Sequence, residues 1–176
     1  MNKQQKNELL IAAMDEYGHY LKRTVFGLVR DLAKTEDIVQ ETFLRYYHSL
    51  EQFEQRASVK TYLYRIAINE CKNYFKSWSY RKLVFTKIFD NDAVHREPID
   101  KELIQREERE NFVKLINALP FKYKEVIWLH YYAELSVQEI ATILSCSSNT
   151  VKTRLVRGRK QAKLLIEEEL LYDEFN

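Results

Sequence analysis

Apolar residues recur along this chain at three- and four-residue spacing in two blocks, separated by a stretch that loses the rhythm. In the first block the pattern predicts helices near 5–32, 35–51 and 58–77. The second of these carries Val39, Phe43, Tyr46 and Leu50 on one face and leaves Asp37, Gln40, Glu41 and Arg45 on its other side. Gln52 to Ala57 breaks the period and predicts a loop, and Ser58 is placed to cap the third helix. In the second block, which begins near Glu107, Phe112, Leu115, Ile116 and Leu119 form a stripe that stops at Pro120. A further helix is expected from Phe121 to Ala133.

Leu135 to Lys160 predicts two short helices around a tight polar turn, a helix-turn-helix. Ser136 and Glu139 have capping-box spacing, and Ile140 and Leu144 with Val151 and Leu155 supply the contacts that pack one helix on the other. Ala141 is small where the helices must approach, and Ser147 or Ser148 is placed to cap the second helix. Its inward face is expected to be Val151, Leu155, Ala162 and Ile166.

Composition narrows the class. Three Gly and two Pro in 176 residues leave little for the tight turns of a sandwich or barrel, so the fold class expected is all-α. Two small helical domains follow, at 1–82 and 107–176, with a flexible linker at 83–106 where Asp90, Asp92, Pro98 and Asp100 break the periodicity. No apolar run approaches the roughly 18 residues needed to span a bilayer, so the expected compartment is the cytoplasm. Cys71 and Cys146 are far apart, lack metal-site spacing, and read as buried small hydrophobes.

The net charge of +2 conceals a segregation. Residues 31–54 hold six acids and two bases, residues 56–82 seven bases and one acid, and residues 145–163 six bases and no acid. Two separated basic segments imply two contacts with a polyanion. On the helix beginning near Val59, a projection at about 100° per residue puts Thr61, Arg65, Asn69, Lys72 and Lys76 on one stripe. Cations for phosphates, with Phe53, Tyr62 and Trp78 as flat partners, suit nucleic acid whose bases are unstacked. Tyr64, Ile68, Cys71 and Phe75 are expected in the core. On the last helix Asn149, Lys152, Thr153, Arg154, Val156, Arg157 and Lys160 are left outward, the base-reading and phosphate-binding mix that a major-groove helix needs.

Catalytic patterns do not emerge. His19, His48, His95 and His130 have no metal-ligand spacing, and Gly18, Gly27 and Gly158 cannot assemble a phosphate-cradling loop. Neither a catalytic residue, a metal, a cofactor nor a small-molecule substrate is expected, and the chain does not read as an enzyme.

The run from Thr35 to Phe43 resembles region 2.1–2.2 of extracytoplasmic-function sigma factors, of the sigma-70 family. Thr61 to Asn69 with Asn73 and Tyr74 resembles their region 2.4. Leu119-Pro120, Leu135 to Ala141 and Thr150 to Arg154 are similar to region 4, and the order of the motifs is that of the family. The resemblance implies that Asp37, Gln40 and Glu41 dock on the clamp helices of core RNA polymerase, with region 4 on its flap. It implies minus-ten contacts by Phe53, Arg56, Ser58, Lys60, Thr61, Tyr62, Arg65, Asn69, Lys72, Asn73 and Lys76, with Asn69 at the position that captures a flipped base. Minus-thirty-five duplex contacts would come from Ser148, Asn149, Thr150, Lys152, Thr153, Arg154, Arg157 and Lys160. An anti-sigma partner is implied as well. The chain departs from many relatives in Glu54, Gln55 and Arg56 of the specificity loop and in Tyr62, where they often carry tryptophan. The rival reading is a stand-alone helix-turn-helix regulator whose N-terminal half senses a ligand or dimerises.

Overall fold

The computed structural model describes residues 2–51, 58–85 and 115–174, and among these there are helices and no strand. Loop residues 52–57, with Phe53 and Arg56, and the expected linker from residue 86 onward lie outside the described residues, as does Phe112. The elements are α1 (Lys3–Val29), α2 (Leu32–Ser49), α3 (Val59–Phe85), α4 (Phe121–Ile127), a π-helical turn (Trp128–Tyr132), α5 (Val137–Leu144) and α6 (Ser148–Glu174).

Local chemistry sets most boundaries. Asn2 and Gln5 form a capping box at the start of α1. α1 ends where Arg30 turns left-handed at φ 59°, and Asp31 then caps α2 by accepting from the Lys34 N–H. The break therefore falls about three residues before the expected one, because Asp31 is a better N-cap than anything downstream. Ser58 caps α3 as expected, its Oγ 3.1 Å from the Thr61 nitrogen. α3 continues past residue 77 to Phe85, since neither Gly nor Pro interrupts that stretch. The helix expected from Phe121 to Ala133 changes character at Trp128, where the Ala133 N–H reaches back five residues to the Trp128 carbonyl at 3.1 Å. This wider turn keeps Trp128 and Leu129 inside and leaves Tyr131 and Tyr132 outside.

Leu21, Val25 and Leu28 of α1 pack on Ile38, Phe43 and Tyr46 of α2 and on Leu63, Tyr64, Ala67, Ile68 and Cys71 of α3. On α2 the inward row is Ile38, Thr42, Phe43 and Tyr46, while Val39, expected inside, is half-buried. Thr42 tolerates burial because its hydroxyl donates to the Ile38 carbonyl at 2.7 Å. In the C-terminal half Ile116, Leu119, Val126, Ile127, Leu129, Leu135, Ile140, Val151 and Leu155 form the core. A fully buried Leu or Ile contributes about 1.5–3 kcal/mol, so truncating Leu21 or Ile140 would cost each half a large share of its stability. On α6 the stripe runs Val151, Leu155, Gly158, Ala162 and Leu165. Ile166, expected inside, is exposed, because helical spacing from Ala162 reaches Leu165 first.

Both halves belong to one contiguous cluster. From Tyr123 to Leu129, across the end of α4 and the start of the π turn, every residue is buried, which a helical stretch achieves only when it is packed on several sides. α4 packs on α6, the π turn on α1, and α5 on α3.

Candidate nucleic-acid interface

Within the helix-turn-helix the capping box is complete. Ser136 Oγ accepts from the Glu139 N–H, and the Glu139 carboxylate accepts from the Ser136 N–H at 2.8 Å. These bonds hold the Glu139 carboxyl below the usual range. Ser145 takes the left-handed conformation (φ 52°) that ends α5, and Ser147, the nearer of the two expected caps, accepts from the Thr150 N–H at 3.0 Å. The turn is thus built from residues adjacent in sequence, and it aims α6 outward. Lys152, Thr153, Arg157 and Lys160 are exposed, as is Asn149, while Ser148 and Thr150 are half-buried.

Arg154 departs from the outward set. Its side chain is 29% exposed and turns back to α4, where Nη1 lies 3.0 Å from Glu125 Oε1. Lys72 of α3 approaches the other oxygen of the same carboxylate at 3.0 Å. Glu125 is 2% exposed, and burial raises its pKa against the pull of Lys72 and Arg154. A carboxylate so placed depends on both cations for solvation that water cannot supply.

The expected α3 stripe is divided by the fold. Asn69, Asn73 and Lys76 are exposed, Thr61 is buried at the cap, and Lys60 and Tyr62 are half-buried. Arg65 donates from Nη2 to the Thr142 carbonyl of α5 at 2.7 Å, and Lys72 is taken by Glu125. Tyr62 lies with its ring 6.4 Å from Tyr46. Tyr64, Ile68 and Cys71 are buried as expected, and burial pushes the Cys71 thiol up to about 12. Phe75 is half-buried with its ring 5.1 Å from Phe121, and Cys146, expected inside, is also half-buried because it sits in the turn. The side chain of Trp78 lies outside the described residues.

On α2, Asp37, Gln40 and Glu41 line one accessible face that continues to Leu44, 45% exposed. Glu41 pairs with Arg45 at 2.6 Å, and Arg45 also reaches Glu70 at 3.0 Å. Leu44 was not foreseen, although it lies one turn beyond Gln40 and its exposure gives the acidic face an apolar centre.

Lys124 and Glu125 were missed altogether, since adjacent charges in a helix read as solvent-facing. Lys124 Nζ donates to the Leu28 carbonyl at 3.0 Å, neutralising one of the unsatisfied carbonyls at the C-terminal end of α1. Its pKa is lowered by burial to about 8, and the ammonium also sits 4.6 Å from the Phe75 ring.

Comparison with known proteins agrees with this geometry. The profile of Sigma-70 region 2 matches residues 13–79, which carry α2 and most of α3, and that of Sigma-70 region 4 matches residues 109–161, which carry the helix-turn-helix. The ECF RNA polymerase sigma-E factor of Haemophilus influenzae is 33% identical over 133 residues, covering 70% of each chain. RNA polymerase sigma factor SigV of Bacillus subtilis is 26% identical over 167 residues, 95% of this chain and 96% of the relative. Among solved structures, the sigma factor RpoE in complex with the anti-sigma factor NepR from Bartonella quintana shares the fold. Its TM-score is 0.68 at 24% identity, covering 94% of this chain and 98% of that one. CnrH in complex with the cytosolic domain of CnrY has a TM-score of 0.67 at 20% identity, covering 95% of this chain and 90% of that one.

Fold and helix-turn-helix together define a two-part, all-helical transcription initiation factor. The chain belongs to the extracytoplasmic-function (ECF) RNA polymerase sigma factors. That membership sets aside the stand-alone regulator.

Proposed function

We propose that this chain binds core RNA polymerase through the α2 face of Asp37, Gln40 and Glu41 and delivers it to promoters through two separate DNA contacts. The observation that carries the reading is an accessible acidic face on α2 in the same molecule as a capped helix-turn-helix whose outer face is basic. Region 2, taken as 1–82, supplies core binding and the minus-ten contact. Region 4, taken as 107–176, supplies the minus-thirty-five contact and reaches the polymerase flap, and 83–106 links them.

In region 2 the exposed row of Asn69, Asn73 and Lys76 faces the displaced strand, with Asn69 hydrogen-bonding a base turned out of the stack. Ser58, Lys60, Thr61, Tyr62, Arg65 and Lys72, with Phe53 and Arg56 of the loop, complete that surface. In region 4 the duplex is read by the N-terminal turns of α6, from Ser148, Asn149 and Thr150 through Lys152, Thr153 and Arg157 to Lys160. The protein performs no chemistry of its own and works in the cytoplasm. An anti-sigma factor restrains it, the kind of partner that RpoE holds in its complex with NepR. Among the described residues no helix is long and apolar enough to cross a membrane.

The test is a charge reversal. Asp37→Lys with Glu41→Lys should abolish co-elution with core RNA polymerase while helical circular dichroism is retained, because neither carboxylate is buried. Co-elution at wild-type affinity would remove α2 from the polymerase contact.

A further inference from the structure

The half formed by α1–α3 meets the half formed by residues 115–174 along a seam, and the seam holds a groove of about 800 Å³. One wall is a single face of α1. Glu16, Tyr20, Arg23, Gly27 and Arg30 all line it, and their alternating spacing of four and three residues keeps side chains on one side of a helix. At Gly27 the Trp128 indole lies so close that a Cβ would stand 2.6 Å from the ring, so the indole rests on bare backbone. Trp128 and Tyr132, with ring centroids 3.9 Å apart, form the opposite wall together with Glu134. Tyr20 and Tyr132 are large aromatic side chains left exposed at this groove. Arg23 and Arg30 are exposed as well and take no part in the contacts assigned above. Neither forms an ion pair among the described residues, and Arg30 lies over the Phe26 ring at 4.9 Å.

A groove of this size, with aromatic walls and a few polar groups converging on it, has the character of a small-molecule site. Its side chains set the chemistry of the occupant. Flat rings left in water favour a flat partner, and two arginines without counter-ions favour an anion. Seven residues separate those arginines, about 10 Å along the helix axis, so one carboxylate would satisfy only one of them. A phosphate chain carries charge over a length on which two long guanidinium side chains can converge. We propose that the groove binds a nucleoside triphosphate, with the base against Tyr20 and the Trp128–Tyr132 pair and the phosphates held by Arg23 and Arg30. Glu134 then accepts from an exocyclic amino group of the base. This binding goes beyond promoter recognition and requires neither polymerase nor DNA.

Isothermal titration calorimetry of the full-length protein with GTP tests this, and a single saturable site with micromolar affinity is expected. Arg23→Ala with Arg30→Asn should weaken it about tenfold or more through the loss of two charge-assisted contacts. Asparagine tolerates the left-handed backbone of residue 30, at φ 59°, and both side chains are exposed, so helical circular dichroism should be retained. Tyr20→Ala should weaken binding about fivefold or more by removing a stacking face. Lys22→Ala with Lys163→Ala, which takes the same charge from exposed positions outside the groove, should leave the affinity unchanged. Inorganic tripolyphosphate, which has the anion without the base, should bind about tenfold more weakly than GTP. The proposal is overturned if no saturable heat is seen, if the two double variants lose affinity equally, or if tripolyphosphate binds as tightly as GTP. No polymerase enters the measurement, so its outcome stands apart from that of the charge-reversal test.

Discussion

α3 and α6 are each 27 residues long and each bears a row of cations on an otherwise half-apolar helix, yet the fold treats them oppositely. α3 is gripped on two sides: Leu63, Tyr64, Ala67, Ile68 and Cys71 face α1 and α2, while Arg65 and Lys72 reach across to Thr142 and Glu125 of the C-terminal half. α6 is held by one stripe and keeps Lys152, Thr153, Arg157 and Lys160 in solvent. The difference is one of packing: α3 lies between α1, α2 and α5, whereas α6 packs on α4 and α5 along a single stripe.

The largest effect expected from this contrast is at Arg154, an α6 cation that, like Lys72 of α3, pairs with the buried Glu125. Arg154→Ala would leave Glu125 with Lys72 alone, and the loss of one partner from a buried carboxylate should cost about 3–5 kcal/mol of folding stability. Arg157→Ala, at an exposed position, should cost little. Urea unfolding of the two variants measures the contrast. An unchanged midpoint for Arg154→Ala, together with relaxed preference at one upstream base pair, would return Arg154 to base reading.

A somewhat smaller effect is expected at Asn69, which stays exposed although it lies between Arg65 and Lys72, both of which bond to the C-terminal half. Asn69→Ala should leave core binding and upstream duplex contact intact but lower the open-complex population roughly tenfold, because lost bonds to a flipped base withdraw on the order of 1–3 kcal/mol from a step that costs a few. On a promoter with a pre-formed bubble the mutant should recover. Permanganate footprinting of the holoenzyme on both templates is the measurement, and wild-type opening on the duplex would reduce Asn69 to a surface amide.

What was legible in the sequence was what neighbours in sequence decide. The Ser136–Glu139 box, the Ser58 and Ser147 caps and the burial of Tyr64, Ile68 and Cys71 depend on spacings of three or four residues, which periodicity exposes directly. Two helical domains were legible for the same reason. The seam was not. Lys124 and Leu28 are 96 residues apart, and nothing near either one announces the other. Gly27 reads as an ordinary helix weakness until Trp128 is placed over it, and an adjacent Lys–Glu pair reads as a solvated face until the helix carrying it is enclosed. The π turn at Trp128 was hidden too, since widening by one residue follows from packing on both sides and leaves no composition signal.

Lys124 provides the smallest and most easily titrated difference between the halves, because its burial exists only while they are together. In the closed chain its pKa is lowered by burial to about 8, against an ordinary lysine value near 10.5 once the seam is opened or the chain unfolded. Below about pH 8 the group is charged in both states, and the cost of burying that charge is felt in full. Between about 8 and 10.5 the closed form releases the proton while the open or unfolded form keeps it, so the proton difference favours closure and stability rises with pH. The neutral amine can still donate to the Leu28 carbonyl, so this gain sacrifices no hydrogen bond. From pH 7 to pH 9 the increment should be on the order of 1 kcal/mol. Other groups titrate over the same range, so the decisive quantity is the difference from Lys124→Met, which has nothing to deprotonate at that site and should show a flatter rise in urea midpoint. Parallel pH profiles for wild type and variant would mean that Lys124 is solvated in solution and that the seam is open at equilibrium.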